Sequence, residues 1–117
     1  MTIDGFRKLA LTLPQSEELA HGGHPDFRVG KRVFASLGYP DPSWAVVKLA
    51  PVQQTKFVKL YPQVFVPVKG TWGAQGSTQV KLRPATQAVV WPALVAAWHD
   101  RAPRKLVAKN PMLPPPT

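Results

Sequence analysis

The sequence contains no cysteine among its 117 residues. That excludes a disulfide framework, a thiolate nucleophile and a cysteine metal site together. Carboxylates are scarce as well, six Asp and Glu against fifteen Lys and Arg. Acid–base chemistry by paired carboxylates would need Glu17, Glu18, Asp26 or Asp41 to meet across loops, and nothing in their spacing arranges this. A Gly-x-Ser-x-Gly elbow, a phosphate-binding loop and a Rossmann fingerprint are all missing. His21 and His24 have only Asp26 nearby as a third metal ligand, so a capping or hydrogen-bonding role is expected for His24 and no metal site. No apolar run approaches the roughly 20 residues of a membrane span. Residues 1–14 also lack the apolar core and small-residue cleavage site of a secretory signal. The resulting expectation is a non-enzymatic, cofactor-free cytoplasmic protein with no membrane span.

What the chain does contain is enough apolar material for one core. Leu, Val, Ile and Phe make up 31 of the 117 residues, above the roughly 20% below which disorder is expected. Its net charge of +9 is unevenly spread. Residues 1–41 balance five basic side chains against five acidic ones, whereas residues 42–99 hold six cations and no carboxylate, and residues 100–117 add a net three positive charges. A long stretch of one sign produces a field that attracts polyanions such as nucleic acid. An acidic protein segment or an anionic membrane surface satisfies the same field, and a solvated face that is basic for solubility is the plain alternative.

Apolar periodicity predicts the elements. Phe6, Leu9, Ala10 and Leu13 share one helical face over Asp4–Leu13, with Thr2 or Asp4 as cap and Pro14 as stop. Residues 15–25 read as a polar loop. Asp26–Leu37 reads as a hairpin turning at Gly30-Lys31, and Trp44–Leu49 as a third strand. Pro51 suits the first turn of a helix reaching Tyr61, with Phe57, Leu60 and Tyr61 as its buried contacts. Val64–Val68 is a short strand that Pro67 places at a sheet edge or bulge. Lys69–Gly76, with three glycines, reads as a loop leading into a strand over Thr78–Arg83. The final helix lies within Thr86–Arg101 and buries Val90, Leu94, Ala97 and Trp98. It starts either at Thr86 with a kink at Pro92 or near Trp91 with Pro92 in its first turn. From Pro103 the chain is basic and then proline-rich, which predicts an extended tail over 109–117 beyond a domain at 1–108. The order is helix, three strands, helix, two strands, helix: an α+β fold with an antiparallel sheet and helices packed on one face.

Seven fragments occur in a familiar order: Phe6–Leu11, His24–Val29, Val33–Ala35, Trp44–Leu49, Val64–Val68, Trp72-Gly73 and Ala102–Val107. Together they resemble the MmcQ/YjbR family of small bacterial proteins over nearly the whole chain, from Ile3 to Ala108. The resemblance implies a compact fold similar to type III secretion chaperones and frataxin-like sheets, and a DNA-binding role. Two positions depart from the pattern. Ser77 stands where the family often has a second tryptophan after glycine, and Pro92 interrupts a helix that is usually continuous.

Strand alternation then nominates a site. With Phe27, Val29, Ala45, Val47, Leu49, Thr78, Val80 and Leu82 facing the core, Arg28, Trp44, Lys48, Gln79, Lys81 and Arg83 face the other way. Basic groups neutralise phosphates, and an aromatic among them offers a stacking platform. Lys69 and Trp72 extend this surface onto the loop. Trp72 either reaches outward as the tip of a wing or, as suits a tryptophan between glycines, folds back to close one end of the core. Trp91 and Trp98 read as core. The expected function is nucleic-acid binding through phosphates by Arg28, Trp44, Lys48, Lys69, Trp72, Lys81 and Arg83. The alternatives are an adaptor holding an acidic or extended protein segment on the same sheet, and a small-molecule pocket bordered by Trp44 and Trp72.

Overall fold

A computed structural model describes residues 1–113, with the backbone alone at His21. Helix α1 (Ile3–Leu11) starts on Thr2, whose hydroxyl accepts from the Gly5 amide at 2.9 Å, and buries Phe6 and Ala10. Four strands follow: β1 (Glu17–His21), β2 (His24–Val29), β3 (Arg32–Leu37) and β4 (Trp44–Lys48). Helix α2 (Pro51–Leu60), strand β5 (Phe65–Pro67), the single turn α3 (Thr71–Ala74) and strand β6 (Ser77–Lys81) come next, then α4 (Gln87–Arg101) and α5 (Arg104–Ala108). All strand pairs are antiparallel, in the order β1-β2-β3-β4-β6-β5.

The α+β class and the antiparallel sheet agree with the sequence reading, but three elements are additional. Residues 17–21 form an edge strand where a loop was expected. Gly22 and Gly23, at φ of 59° and 83°, close a two-residue turn that aligns His21 with His24. Positive φ at both central residues suits the twist of a hairpin. The strand escapes periodicity because Glu17, Glu18, Leu19 and Ala20 are all exposed, so pairing with β2 forms it and burial does not. Part of Lys69–Gly76 coils into α3. The chain after Pro103, expected to be extended, makes α5, because Leu106 docks on the core at 8% exposure. The expected tail, 109–117, lies partly outside the described residues. Within them Leu113 packs against the core, and its carbonyl lies 2.6 Å from His99 Nε2.

The predicted core face is correct at every position: Phe27, Val29, Ala45, Val47, Leu49, Thr78, Val80 and Leu82 are all buried. Thr78 satisfies its hydroxyl on the Gly76 carbonyl at 2.9 Å. A bulge in the β2–β3 register, where Phe27 pairs with Ala35 and Arg28 with Val33, leaves Phe34 as the extra residue. One extra residue lets consecutive side chains turn to the same side, so Phe34 and Ala35 are both fully buried. Helices α1 and α4 cover this face. Trp98 of α4 is fully buried, and its indole N–H donates to the Pro14 carbonyl at 3.0 Å. Thr86 caps α4, so the helix runs through Pro92. Pro92 and Ala88, whose carbonyl loses its i+4 donor, are both exposed, and water can replace the missing bond. In α2 the buried contacts are Phe57 and Gln54. Leu60, expected to be buried, is 60% exposed.

Candidate functional site

The sheet face opposite α1 and α4 carries a cavity of about 660 Å³. Alternation and register build it. Trp44, Val46 and Lys48 leave β4 on this side, paired with Lys81, Gln79 and Ser77 of β6, and Ser36 of β3 stands beside Val46 and opposite Asp26 of β2. The row Asp26, Ser36, Val46 forms part of the floor. Val33, Leu37 and Val68 supply apolar wall, Tyr39 and Trp72 lie along the rim, and Arg32, Lys48 and Arg101 bring positive charge.

Two buried glycines fix the rim. A Cβ on Gly73 would lie 1.6 Å from the Val68 carbonyl oxygen, and one on Gly76 would lie 1.7 Å from that of Leu49. Neither position has room for any side chain, so the backbone of α3 lies directly against its neighbours and holds Trp72 at the mouth. Gln54 reaches the same segment from α2, donating Nε2 to the carbonyls of Gly73 (2.9 Å) and Ser77 (3.1 Å). Trp72 is therefore 64% exposed, against the expectation that it folds back into the core. The Lys48 ammonium sits 4.7 Å from its ring centroid and donates to Ser77 Oγ at 3.0 Å. Burial and the nearby charge of Arg101 hold the Lys48 ammonium below the usual lysine range. Arg101 Nε is buried with no hydrogen-bond partner; its nearest carboxylate oxygen, on Asp100, is 3.6 Å away.

Of the seven residues nominated from sequence, Lys48 and Trp72 line the cavity. Arg28 lies on the same face, but its guanidinium is held in a two-pronged pair with Asp26 at 3.0 Å on each arm. Hydrogen bonding to Asp26 raises the Arg28 pKa. The pair largely neutralises both charges, which makes Arg28 a weak candidate for phosphate. Trp44 is half-buried under Lys81, whose ammonium is 5.9 Å from the ring. Lys69 is exposed just before α3, and Arg83 is exposed in the turn after β6, not on the strand as expected. Sequence reasoning missed Arg32 and Arg101. Arg32 follows the Gly30-Lys31 turn, and Arg101 ends a helix 53 positions after Lys48, so only tertiary packing reveals their convergence. His24, which also lines the cavity, lies against Gly38, where an added Cβ would meet Nδ1 at 2.8 Å.

No family model and no curated protein matches the sequence. The fold is similar to that of the crystal structure of Deinococcus radiodurans protein DR2400, which carries the DUF419 domain, with a TM-score of 0.71 and 19% identity over 98% of this chain and 89% of that one. DUF419 is a YjbR/MmcQ-like family. The neighbour's architecture fits the α+β fold that the sequence resemblance implied.

Proposed function

We propose that this chain is a non-enzymatic, cytoplasmic protein of the MmcQ/YjbR type that binds single-stranded nucleic acid on its open sheet face. One observation carries the reading. Two cation–aromatic pairs, Lys48 with Trp72 and Lys81 with Trp44, stand on that face on either side of Val46. Lys48 and Trp44 are four residues apart on one strand, about 13 Å at the usual rise. Each pair offers an ammonium for a phosphate and an indole for a base. Stacking contributes roughly 1–3 kcal/mol per base and tolerates any sequence. Phosphate contacts supply the rest through counterion release. The carboxylate on the cavity floor, Asp26, is paired with Arg28.

A titration of a labelled single-stranded oligonucleotide at several salt concentrations tests this. The logarithm of the affinity is expected to fall linearly with the logarithm of salt, by about 0.7 per phosphate contact. Replacing Lys81 and Arg83 with alanine is expected to remove about 0.7 from the slope for each cation engaged. Affinity indifferent to salt would overturn the reading. The competing adaptor role would use the same face or a sheet edge, and the edges suit it poorly. Strand β5 has three residues and ends in Pro67, while β1 presents Glu17 and Glu18. Proline and charge are the devices that keep edges from pairing with other chains.

A further inference from the structure

The cavity has a charged end that is only partly satisfied within the protein: the Asp100 carboxylate lies 3.6 Å from Arg101 Nε, too far for a hydrogen bond. Lys48 and Arg101 both line the cavity, and no carboxylate of the lining other than Asp26 stands among them. Arg101 keeps a buried N–H without an acceptor. Bringing two like charges together, one with a desolvated and unpaired donor, is unfavourable by itself. Lys48 finds only a neutral acceptor, Ser77 Oγ, and an indole face. Arg32 adds a third cation to the lining, and the carboxylate that shares it, Asp26, is already engaged by Arg28. A group of about two negative charges offering several acceptor oxygens would complete this end.

The other end differs in chemistry. Val46 is buried, Val33 is half-buried and Trp72 is 64% exposed, and all three belong to the lining. The volume of about 660 Å³ lies within the usual range of small-molecule sites, roughly 300–1,000 Å³. A flat ring fits against the indole and valines, with Ser36 and Gln75 near enough in the lining to meet polar ring edges.

We propose that this cavity is a specific subsite for a phosphate monoester carried on a flat heterocycle, with the phosphate held by Lys48 and Arg101 and the ring placed against Trp72. A phosphate monoester carries about −1.5 to −2 charge at pH 7 and three acceptor oxygens, which matches the two-cation end better than a singly charged carboxylate does. The same chemistry comes from two sources, a free mononucleotide or the phosphorylated 5′ end of a strand. The choice of a nucleotide as ring carrier rests on the nucleic-acid reading above.

The test compares ligands on the full chain by calorimetry and tryptophan fluorescence: a nucleoside, its 5′-monophosphate, benzoate, and one short oligonucleotide with a 5′-phosphate or a 5′-hydroxyl. The monophosphate is expected to bind at least about tenfold tighter than the nucleoside, and the phosphorylated strand tighter than the hydroxyl strand by a similar factor. Lys48→Met and Arg101→Gln should each remove about tenfold to a hundredfold of that preference, the range for a charge-assisted hydrogen bond. Arg101→Lys should restore part of it. Thermal unfolding of each variant separates a lost site from a lost fold. Equal binding of the two strands with no competition by the monophosphate overturns the subsite and leaves the nucleic-acid reading standing. Monophosphate binding with neither strand bound overturns the nucleic-acid reading and keeps the subsite. Benzoate binding as tightly as the monophosphate overturns the phosphate assignment.

Discussion

The two faces of one sheet are built from the same strands and obey opposite rules. On the helix-covered face Phe27, Ala35, Ala45, Val47 and Val80 are all fully buried, and its one hydroxyl, on Thr78, is satisfied locally. Alternate positions on the other face are Asp26, Ser36, Trp44, Val46, Lys48, Ser77, Gln79 and Lys81, of which Asp26, Val46 and Ser77 are buried. The first face carries the stability. The second holds cations and indoles on strands that are already anchored from behind. A bulge at Phe34 sharpens the division by turning one more aromatic ring toward the helices.

The division can be broken most severely at its hinge. Gly76→Ala places a Cβ against the Leu49 carbonyl at a backbone φ of 111°. We expect a loss of at least about 4 kcal/mol, the range reserved for strain and overpacking together, measured by urea unfolding. Phe27→Ala is next, at about 3–5 kcal/mol for a fully buried ring. Val46→Ala, on the opposite side of the same sheet, should cost only about 1.5 kcal/mol for two methyl groups. Equal losses at Phe27 and Val46 would erase the distinction between the faces.

Lys48→Met sharpens the comparison through pH. Its folded pKa lies below the ordinary 10.5, so between the folded and unfolded values the unfolded chain binds more protons. Stability rises with pH in such a window. The ammonium therefore opposes folding below the folded pKa, and this penalty is relieved as pH climbs toward 10.5. The wild-type protein should gain stability relative to Lys48→Met over that alkaline range, as read from unfolding midpoints at stepped pH. A difference independent of pH would mean that Lys48 is not desolvated. The smallest effect is expected from Asp26→Asn, which frees Arg28 from its partner. Single-strand affinity should rise slightly, with a salt slope steeper by about 0.7 if the freed guanidinium engages one phosphate.

These faces were not equally legible in the sequence. Period-two alternation assigned the core face correctly from Phe27 to Leu82, because burial imposes a pattern on every strand that packs against helices. The same alternation placed Trp44, Lys48 and Lys81 on the open side. It could not reveal that Arg28 is claimed by Asp26, since two residues of one strand face bond only when their rotamers agree. Arg101 and Arg32 were invisible as site residues, because packing, not alternation, brings them into the lining that holds Lys48. Strand β1 was hidden for a related reason: an edge strand exposed throughout has no burial pattern, and Gly22-Gly23 was its only local signal. The glycines around Trp72 allow both an inward and an outward reading of its ring; in the structure Gly73 and Gly76 serve close backbone contact with Val68 and Leu49, and the indole is exposed.

The central claim, that the open face meets the strand, is tested most directly by mapping backbone amide shifts during titration with a short single-stranded oligonucleotide. The account predicts perturbations concentrated at 44–48, 71–81 and Arg101, with the exposed sides of α1 and α4 unchanged. Shifts gathered on those helices, or spread evenly over the molecule, would contradict it.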